Sequence, residues 1–198
     1  MTRSSFICKT ALLFLCGMFL FTGIARADWL LDMENSSLSF GSIKNGSIGE
    51  SNHFQSVEGR ITDAGDITLI IDLTSVETWV DIRNARMKEF LFKTNMFPVA
   101  ILRGQIDLTK FTDLAVGSQQ SVEMAFDLDL HGQQQTFDAE LVILRLTKER
   151  LIVIPAEIIF LDAEKFNLLS GLKKLQELAK LPSISSSVPV SFRLTFNQ

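Results

Sequence analysis

Alternation of apolar and polar side chains marks the predicted strands of this chain. Between Ser121 and Leu130 every second residue is apolar, and the residues between them are charged or small. A strand with this pattern has one dry face and one wet face. Similar apolar runs predict seven further strands. They cover Ser36–Ile43, His53–Thr62, Asp66–Leu73, Pro98–Leu108, Thr136–Leu146, Leu151–Leu161 and Val188–Phe196.

Short polar turns separate several of these runs, which favours an antiparallel arrangement. Two of the turns are Asp63–Gly65 and Thr147–Arg150; His131 and Gly132 form a third, where we expect the histidine to be exposed to solvent. About eight antiparallel strands can close into a barrel, which leaves no free edge, or pack as two sheets around a filled core. The pattern alone leaves both architectures open.

Helical spacing interrupts the strands at two places. Before the last strand, leucines recur every three or four residues within Phe166–Leu181, which predicts an amphipathic helix that ends at Pro182. The other place is Ser75–Ala100, where helical spacing starts near Val80, and Thr78 is a candidate to cap the first free amides.

The second helical segment has two interpretations. On a surface helix, Arg83 and Arg86 would pair with nearby acids, which contributes little stability; the acids in reach are Asp81, Glu89 and Glu77. Alternatively the segment is a lid at one end of a barrel. Arg83 would then share one side with Met87 and with Phe90 or Leu91, and its guanidinium would bind an anionic or carbonyl head group.

The first 27 residues predict export from the cytoplasm. Arg3 and Lys9 precede an uncharged apolar run, and Ala25-Arg26-Ala27 has the small residues of a signal-peptidase site. The run is shorter than the roughly 20 apolar residues of a spanning helix. We therefore expect residues 1–27 to be a cleaved signal peptide, and residues 28–198 to form one domain in the periplasm of a Gram-negative bacterium.

Removal of this segment changes the charge and the chemistry of the chain. The full sequence has a formal net charge of −4, whereas residues 28–198 carry 16 basic and 23 acidic side chains, a net charge of −7. Nucleic acid is therefore not an expected partner. Both cysteines, Cys8 and Cys16, lie in the removed segment, so the exported chain is expected to have neither a disulfide nor a thiolate site.

Residue types for catalysis or metal binding are sparse. His53 and His131 are the two histidines, and neither has the spacing of a metal ligand. No nucleophile motif or carboxylate pair indicates a catalytic site. We therefore predict no catalytic residue, no metal and no cofactor other than a bound lipid. His53 is either a partly buried side chain with a local hydrogen bond or a donor to a ligand head group at a barrel mouth.

The segment SVETWVDIRNARMKEFLFKTNMFPVA contains an S-V-x-T turn, an arginine at the start of a helix, a short helix ending in Phe and an F-P-x-A strand entry. In these motifs and their order, the chain resembles the YceI-like family of periplasmic lipid-binding proteins, in which the helix starts with Arg-Asp. Similarity extends to Trp29–Asp32, to Phe54 with Gly59, to the hairpin LDLHGQQQTF and to FLDAEKFNL. The chain departs from the family at Arg83-Asn84, where Arg-Asp is usual, and in a longer helix before the last strand.

The resemblance implies an all-β, lipocalin-like, eight-stranded antiparallel barrel with a helical cap after the third strand and an amphipathic helix before the last. It also implies a cavity for a long-chain amphiphile (a polyisoprenoid, an isoprenoid quinone or a fatty-acid-type lipid) and no enzymatic activity. The candidates for the cavity wall are Phe40, Phe54, Val122, Met124, Phe126, Leu128, Phe137, Leu141, Ile143, Val190, Phe192 and Leu194. The candidates for the head-group site at the mouth are His53, Arg83, Asn84, Met87 and Phe90.

Other functions stay open at this point. A structural or interaction protein would have a filled barrel and would use the Phe166–Leu181 helix to dock a membrane or envelope partner. An enzyme of isoprenoid or quinone chemistry would need a buried acid, or His53, beside a ligand head group. For a lipid carrier, transient contact with a membrane or a membrane protein is a further expectation.

Overall fold

The computed structural model describes residues 27–198, which form twelve strand segments and three α-helices. The strands are β1 (Trp29–Leu31), β2 (Ser37–Lys44), β3 (Ile48–Phe54), β4 (Val57–Ile61), β5 (Asp66–Asp72), β6 (Val76–Glu77), β7 (Val99–Gln105), β8 (Gln119–Leu130), β9 (Gln133–Thr147), β10 (Arg150–Pro155), β11 (Ile159–Asp162) and β12 (Ser187–Asn197). The helices are α1 (Asp81–Arg86), α2 (Thr109–Thr112) and α3 (Leu169–Ala179). A π-helical turn (Met87–Leu91) continues α1, and we call the two together the cap; 3-10 turns lie at Met33–Asn35, Leu73–Ser75 and Ala163–Phe166.

The predicted signal peptide and both cysteines lie outside the described residues, apart from Ala27. Within residues 27–198, none of the helices has the length and hydropathy needed to cross a bilayer.

Strand pairing closes the sheet into a barrel. Antiparallel pairs run from β4 through β5, β7, β8, β9 and β10 to β12, and β12 also pairs with β1, which pairs back to β4. The ring therefore contains eight strands. Four of them are extended by a second segment beyond a bend, namely by β2, β3, β6 and β11. The prediction of a closed eight-stranded antiparallel barrel is confirmed, and the two-sheet sandwich is wrong.

Polar side chains stabilise the bends that divide these strands. Between β1 and β2, Asn35 N donates to Asp32 Oδ1 (3.2 Å), and Ser36 Oγ donates to Asp32 O (2.6 Å). Between β5 and β6, Thr74 N donates to Asp72 Oδ1 (2.8 Å). Because these bonds satisfy backbone groups locally, a strand can change direction without leaving them unpaired. The sequence pattern did not predict these bends, and it placed the start of β3 at His53 instead of Ile48.

Both predicted helical segments are present with different bounds. The last helix begins at Leu169 instead of Phe166, because Asn167 has a positive φ (57°) and ends the preceding 3-10 turn. The helix ends at Ala179 and is followed by the C-cap Lys180, which also has a positive φ (53°) and lies two residues before Pro182. A left-handed residue commonly ends a helix.

The barrel interior holds two apolar clusters, one toward each end. The cluster near α2 includes Trp29, Phe111, Met124, Phe126 and Phe196. The cluster under the cap contains a further set of large side chains, which are Phe54, Leu73, Met87, Leu91, Phe92 and Phe166. The barrel thus has a dry core along its length, covered at one end by the cap and at the other by Phe111 of α2.

His131 is buried, so its expected exposure to solvent was wrong. Its side chain is 7% exposed, its ring centroid lies 4.6 Å from that of Phe97, and Nδ1 lies 3.2 Å from Phe166 O. The 3-10 turn before α3 covers the tip of the β8–β9 hairpin, which the local turn pattern could not show. The other ring nitrogen, Nε2, has no hydrogen-bond partner within the described chain.

Stability should depend on the protonation of His131. Burial lowers the pKa of His131 below its ordinary value of 6.5, and the charge of Lys93 acts in the same direction. The stability contributed by the neutral ring is therefore complete above about pH 6.5 and is lost as the pH falls through the lowered pKa. We expect the Tm to decrease once the pH falls below the ordinary pKa of about 6.5.

The control for this pH dependence is His131→Asn, which keeps a favourable Asn-Gly turn but removes the titrating group. Thermal melts across this range should have a smaller slope for the variant than for the wild type. Carboxylates with lowered pKa values, such as Asp32 and Glu50, affect stability only at lower pH. Equal slopes in this range would contradict the role assigned to His131.

Candidate functional site

Three cavities lie end to end inside the barrel. The central one has a volume of about 170 Å³, and neighbours of about 300 Å³ under the cap and about 70 Å³ near α2 adjoin it. The central cavity and the cavity under the cap share the walls Phe40, Leu91, Leu172 and Val188. The central cavity and the cavity near α2 share Leu69, Leu102, Phe137, Ile159, Phe192 and Leu194. We call the three cavities together the tunnel.

Most of the predicted wall residues line the tunnel. In the central cavity these are Phe40, Phe54, Leu128, Phe137, Val190, Phe192 and Leu194, and near α2 they are Met124, Phe126, Leu141 and Ile143. Val122 packs against the core near α2 without lining a cavity. The alternation thus assigned the inner face of the strands correctly, while contact of these residues with a ligand stays a prediction.

The helical segments supply wall residues that the prediction missed. Leu91 and Phe92 of the cap segment, with Phe166, Leu168 and Leu172 around α3, line the central cavity. The leucine spacing of α3 was visible in the sequence, but it did not indicate which neighbour the apolar face would cover. β5 also contributes, through Leu69 and Ile71.

Polar residues line the tunnel at one end. On β2, the side chains of Ser42 and Lys44 point to the same side of the sheet as the wall residue Phe40. On β3, Glu50 and Asn52 point to the same side as Phe54. Arg83 and Arg86 reach the same cavity from the cap. We call Ser42, Lys44, Glu50, Asn52 and Arg83 the polar end. These strand residues were not predicted, because Lys44, Glu50 and Asn52 lie outside the predicted strands Ser36–Ile43 and His53–Thr62.

Glu50 joins two cations at the polar end. It accepts a hydrogen bond from Lys44 Nζ (2.7 Å) through Oε1, and Arg83 Nη1 donates to Oε2. The hydrogen bond from Lys44 is the main cause of a lowered pKa of Glu50, with the charge of Arg83 adding to it and partial burial opposing it. Glu50 is therefore ionised at neutral pH and pairs with both cations.

Arg83 holds the cap in place. Its Nε donates to Thr78 Oγ1 and its Nη2 to Thr78 O, both at 3.0 Å, while Nη1 binds Glu50. Each guanidinium nitrogen thus has a partner within the protein. The surface-pair interpretation was wrong about the partner, because Arg83 binds Glu50 of β3 instead of an acid on its own helix. Thr78 does not cap α1, which begins after Val80 without a side-chain cap.

Asn84 stabilises the turn before the cap and does not line the tunnel. Its Oδ1 accepts from Thr78 N (2.9 Å) and Thr78 Oγ1 (2.6 Å), and its Nδ2 donates to Glu77 Oε1 (2.9 Å). This last bond is the main cause of a lowered pKa of Glu77. An aspartate at position 84 could not donate it, so Asn84 supplies a hydrogen bond between α1 and the turn before it that an aspartate would lack.

Two other candidates for the mouth also lie away from the tunnel. His53 faces outward, because its neighbours Asn52 and Phe54 face inward, and its ring centroid lies 5.2 Å from that of Trp79. Phe90 lines none of the three cavities, whereas Leu91, in the same π-helical turn, lines two of them. Of the five predicted mouth residues, only Arg83 and Met87 line the cavity under the cap.

Comparison with known proteins identifies the family. The model of the YceI-like domain matches residues 29–196. The chain belongs to the YceI-like family. A search of curated proteins gave no match to this YceI-like chain.

Solved structures similar to this YceI-like protein have the same fold. A polyisoprenoid binding domain from Saccharophagus degradans, implicated in plant cell wall breakdown, is 37% identical with a TM-score of 0.84, covering 85% of this chain and 97% of that one. BcnA of Burkholderia cenocepacia is 14% identical with a TM-score of 0.63, covering 83% and 98%. The YCEI protein of Campylobacter jejuni is 12% identical with a TM-score of 0.56, covering 74% and 84%.

The contact between α3 and the cap depends on Gly171. A Cβ at this position would lie 2.6 Å from Phe90 O and 2.7 Å from Leu91 Cα, which are backbone atoms of the cap. We therefore expect Gly171→Ala to destabilise the protein by about 1–3 kcal/mol, although alanine in a helix is normally favoured over glycine by about 1 kcal/mol.

Denaturant unfolding of this variant checks the packing. The matched control is Ser170→Ala, at an exposed neighbouring position on the same helix, which should be neutral or slightly stabilising. If both variants were equally stable, the close approach of α3 to the cap would be contradicted.

Proposed function

We propose that this protein is a periplasmic carrier that holds one long-chain amphiphile, with the tail in the tunnel and the head group at the polar end. The observation that supports this most is the division of the tunnel into an apolar length and one polar end. Such a cavity matches a molecule with a long tail and a small polar group.

The energetics of tail burial favour this proposal. Each buried methylene contributes about 0.8 kcal/mol, while association costs about 4–15 kcal/mol. A long tail can therefore supply most of the affinity, and a few polar contacts at the head group are sufficient to orient the ligand. The side chains of the polar end can supply these few polar contacts.

The family relationship supports a polyisoprenoid as the tail. The 37% identical relative is a polyisoprenoid binding domain, and isoprenoid quinones or fatty-acid-type lipids are the other ligands proposed. A binding role, without catalysis, is supported by the ion pairs of the polar end, because Lys44 and Arg83 are both paired with Glu50. The periplasmic location rests on the predicted signal peptide.

Extraction of the purified protein tests the carrier function. Residues 28–198, purified from a periplasmic preparation without detergent, should yield one lipid per protein in mass spectrometry of an organic extract. A protein that is empty and also refuses added prenyl lipids would contradict the proposal and favour an interaction protein.

Leu102→Trp should shorten the tunnel. Leu102 is a shared wall between the central cavity and the cavity near α2, so a larger ring there separates the two. We expect the variant to lose affinity for long prenyl chains by about tenfold while it keeps short ones, as measured by displacement of a fluorescent lipid. Arg103→Trp, at the exposed neighbouring position, is the control. Equal loss for short and long chains would contradict an extended tunnel.

We also propose that the carrier contacts a lipid bilayer through exposed apolar residues at the start of the cap and in the turn before it. Trp79 is 78% exposed, and Val80 and Ile82 beside it are exposed as well. Trp79 has a positive φ (63°), which is strained for a bulky residue, and its N donates to Glu77 Oε1 (2.5 Å). Tryptophan is favoured at the membrane interface, and this surface is continuous with the cap residues that line the tunnel.

Trp79→Asn should slow lipid exchange with membranes. Asparagine tolerates a positive φ, so the fold should be retained. We expect transfer of a fluorescent prenyl lipid from vesicles to slow several-fold, with unchanged affinity once the lipid is bound. Val116→Asn replaces another exposed apolar residue, at the α2 end of the barrel, and should leave transfer unchanged. Equal rates for both variants would contradict the proposed contact.

A further inference from the structure

Asn52 is a buried polar side chain with an unpaired atom at the tunnel wall. It is 2% exposed and lies on β3 with its side chain facing the cavity under the cap. Its Nδ2 donates a long hydrogen bond to Ser42 Oγ (3.4 Å), and its Oδ1 has no partner within the described chain. A buried polar atom without a partner costs stability, which indicates that something else pairs with it.

The charged groups of the polar end do not supply that partner. Lys44 and Arg83 both bind Glu50, and the remaining nitrogens of Arg83 bind Thr78. Arg86 donates to Leu178 O (3.4 Å), on the α3 side of the cavity. The amide of Asn52 therefore offers a neutral hydrogen-bonding site next to ion pairs that are already formed.

The chemistry of this site selects a particular head group. An unpaired amide oxygen needs a donor, which a quinone carbonyl, an ether or an ionised phosphate cannot supply. A hydroxyl group can donate to the amide oxygen and also accept from a neighbour such as Ser42. Because a hydroxyl both donates and accepts, it also matches the amide in the opposite orientation.

We propose that Asn52, assisted by Ser42, is the binding site for a hydroxyl group on the head of the ligand. The protein then prefers a long-chain alcohol or phenol to the same chain with a head group that only accepts hydrogen bonds. This inference rests on the proposed carrier function, whose tail-binding part it leaves unchanged.

Matched prenyl probes test the hydroxyl site. Delipidated protein is titrated with geranylgeraniol and with geranylgeranyl methyl ether, which have the same tail and differ in the O–H group. The alcohol should bind the wild type about tenfold more tightly than the ether. Asn52→Leu should abolish this difference, while Ser51→Ala, at the exposed neighbouring position, should retain it.

Stability separates a binding role of Asn52 from a structural one. Asn52→Leu removes an unpaired polar atom from a buried site, so its Tm without ligand should be equal to or above that of the wild type. A large decrease in Tm together with equal loss of affinity for both probes would overturn the inference. Ser42→Ala, which keeps the amide, should reduce the preference for the alcohol without removing it.

The affinities of the wild type for the two probes also separate the hydroxyl site from the carrier function. Equal affinity for the alcohol and the ether would overturn the hydroxyl site and leave the carrier function standing. Failure to bind either probe, or any other prenyl lipid, would overturn both.

Discussion

The pairing of β12 with strands on both of its edges is the constraint on which the rest of the structure depends. Its first half pairs with β11 and β2, and its second half pairs with β10 and β1. Since the sheet has closed on itself, inward side chains face one another across a narrow lumen. The tunnel is the space that these side chains do not fill, so a local change on any strand alters its width.

The cap is held to this barrel by polar contacts instead of by apolar packing alone. Arg83 binds Glu50 of β3, and Asn84 binds both Thr78 and Glu77 in the turn that precedes α1. These residues resemble a head-group site in the sequence, since they are polar and lie beside apolar neighbours. In the structure their hydrogen bonds are made to other residues of the protein, whereas Oδ1 of Asn52, at the polar end of the tunnel, has no partner within the described residues.

The predicted and observed sites differ for reasons of geometry. Inward-facing residues such as Phe126 and Phe192 followed from alternation, because a side-chain period of two is fixed by the strand backbone. Helical spacing left both Phe90 and Leu91 as candidates, and of the two only Leu91, in the π-helical turn, lines the tunnel. Asn52 and Glu50 were missed because the start of β3 was placed at His53, which left both residues between predicted strands. His131 was taken as exposed because nothing local to its turn indicates that another segment covers it.

The amino-acid sequence by itself determined the number of strands, their antiparallel order, the two helical segments and most of the inner face, since these depend on local periodicity and turn chemistry. Only the tertiary structure decided that the sheet closes into a barrel instead of a sandwich, because both arrangements bury the same alternating faces. It also decided which polar groups meet: Arg83 and Glu50 are 33 residues apart, and contacts over such a separation depend on strand register and helix packing, which no local pattern contains.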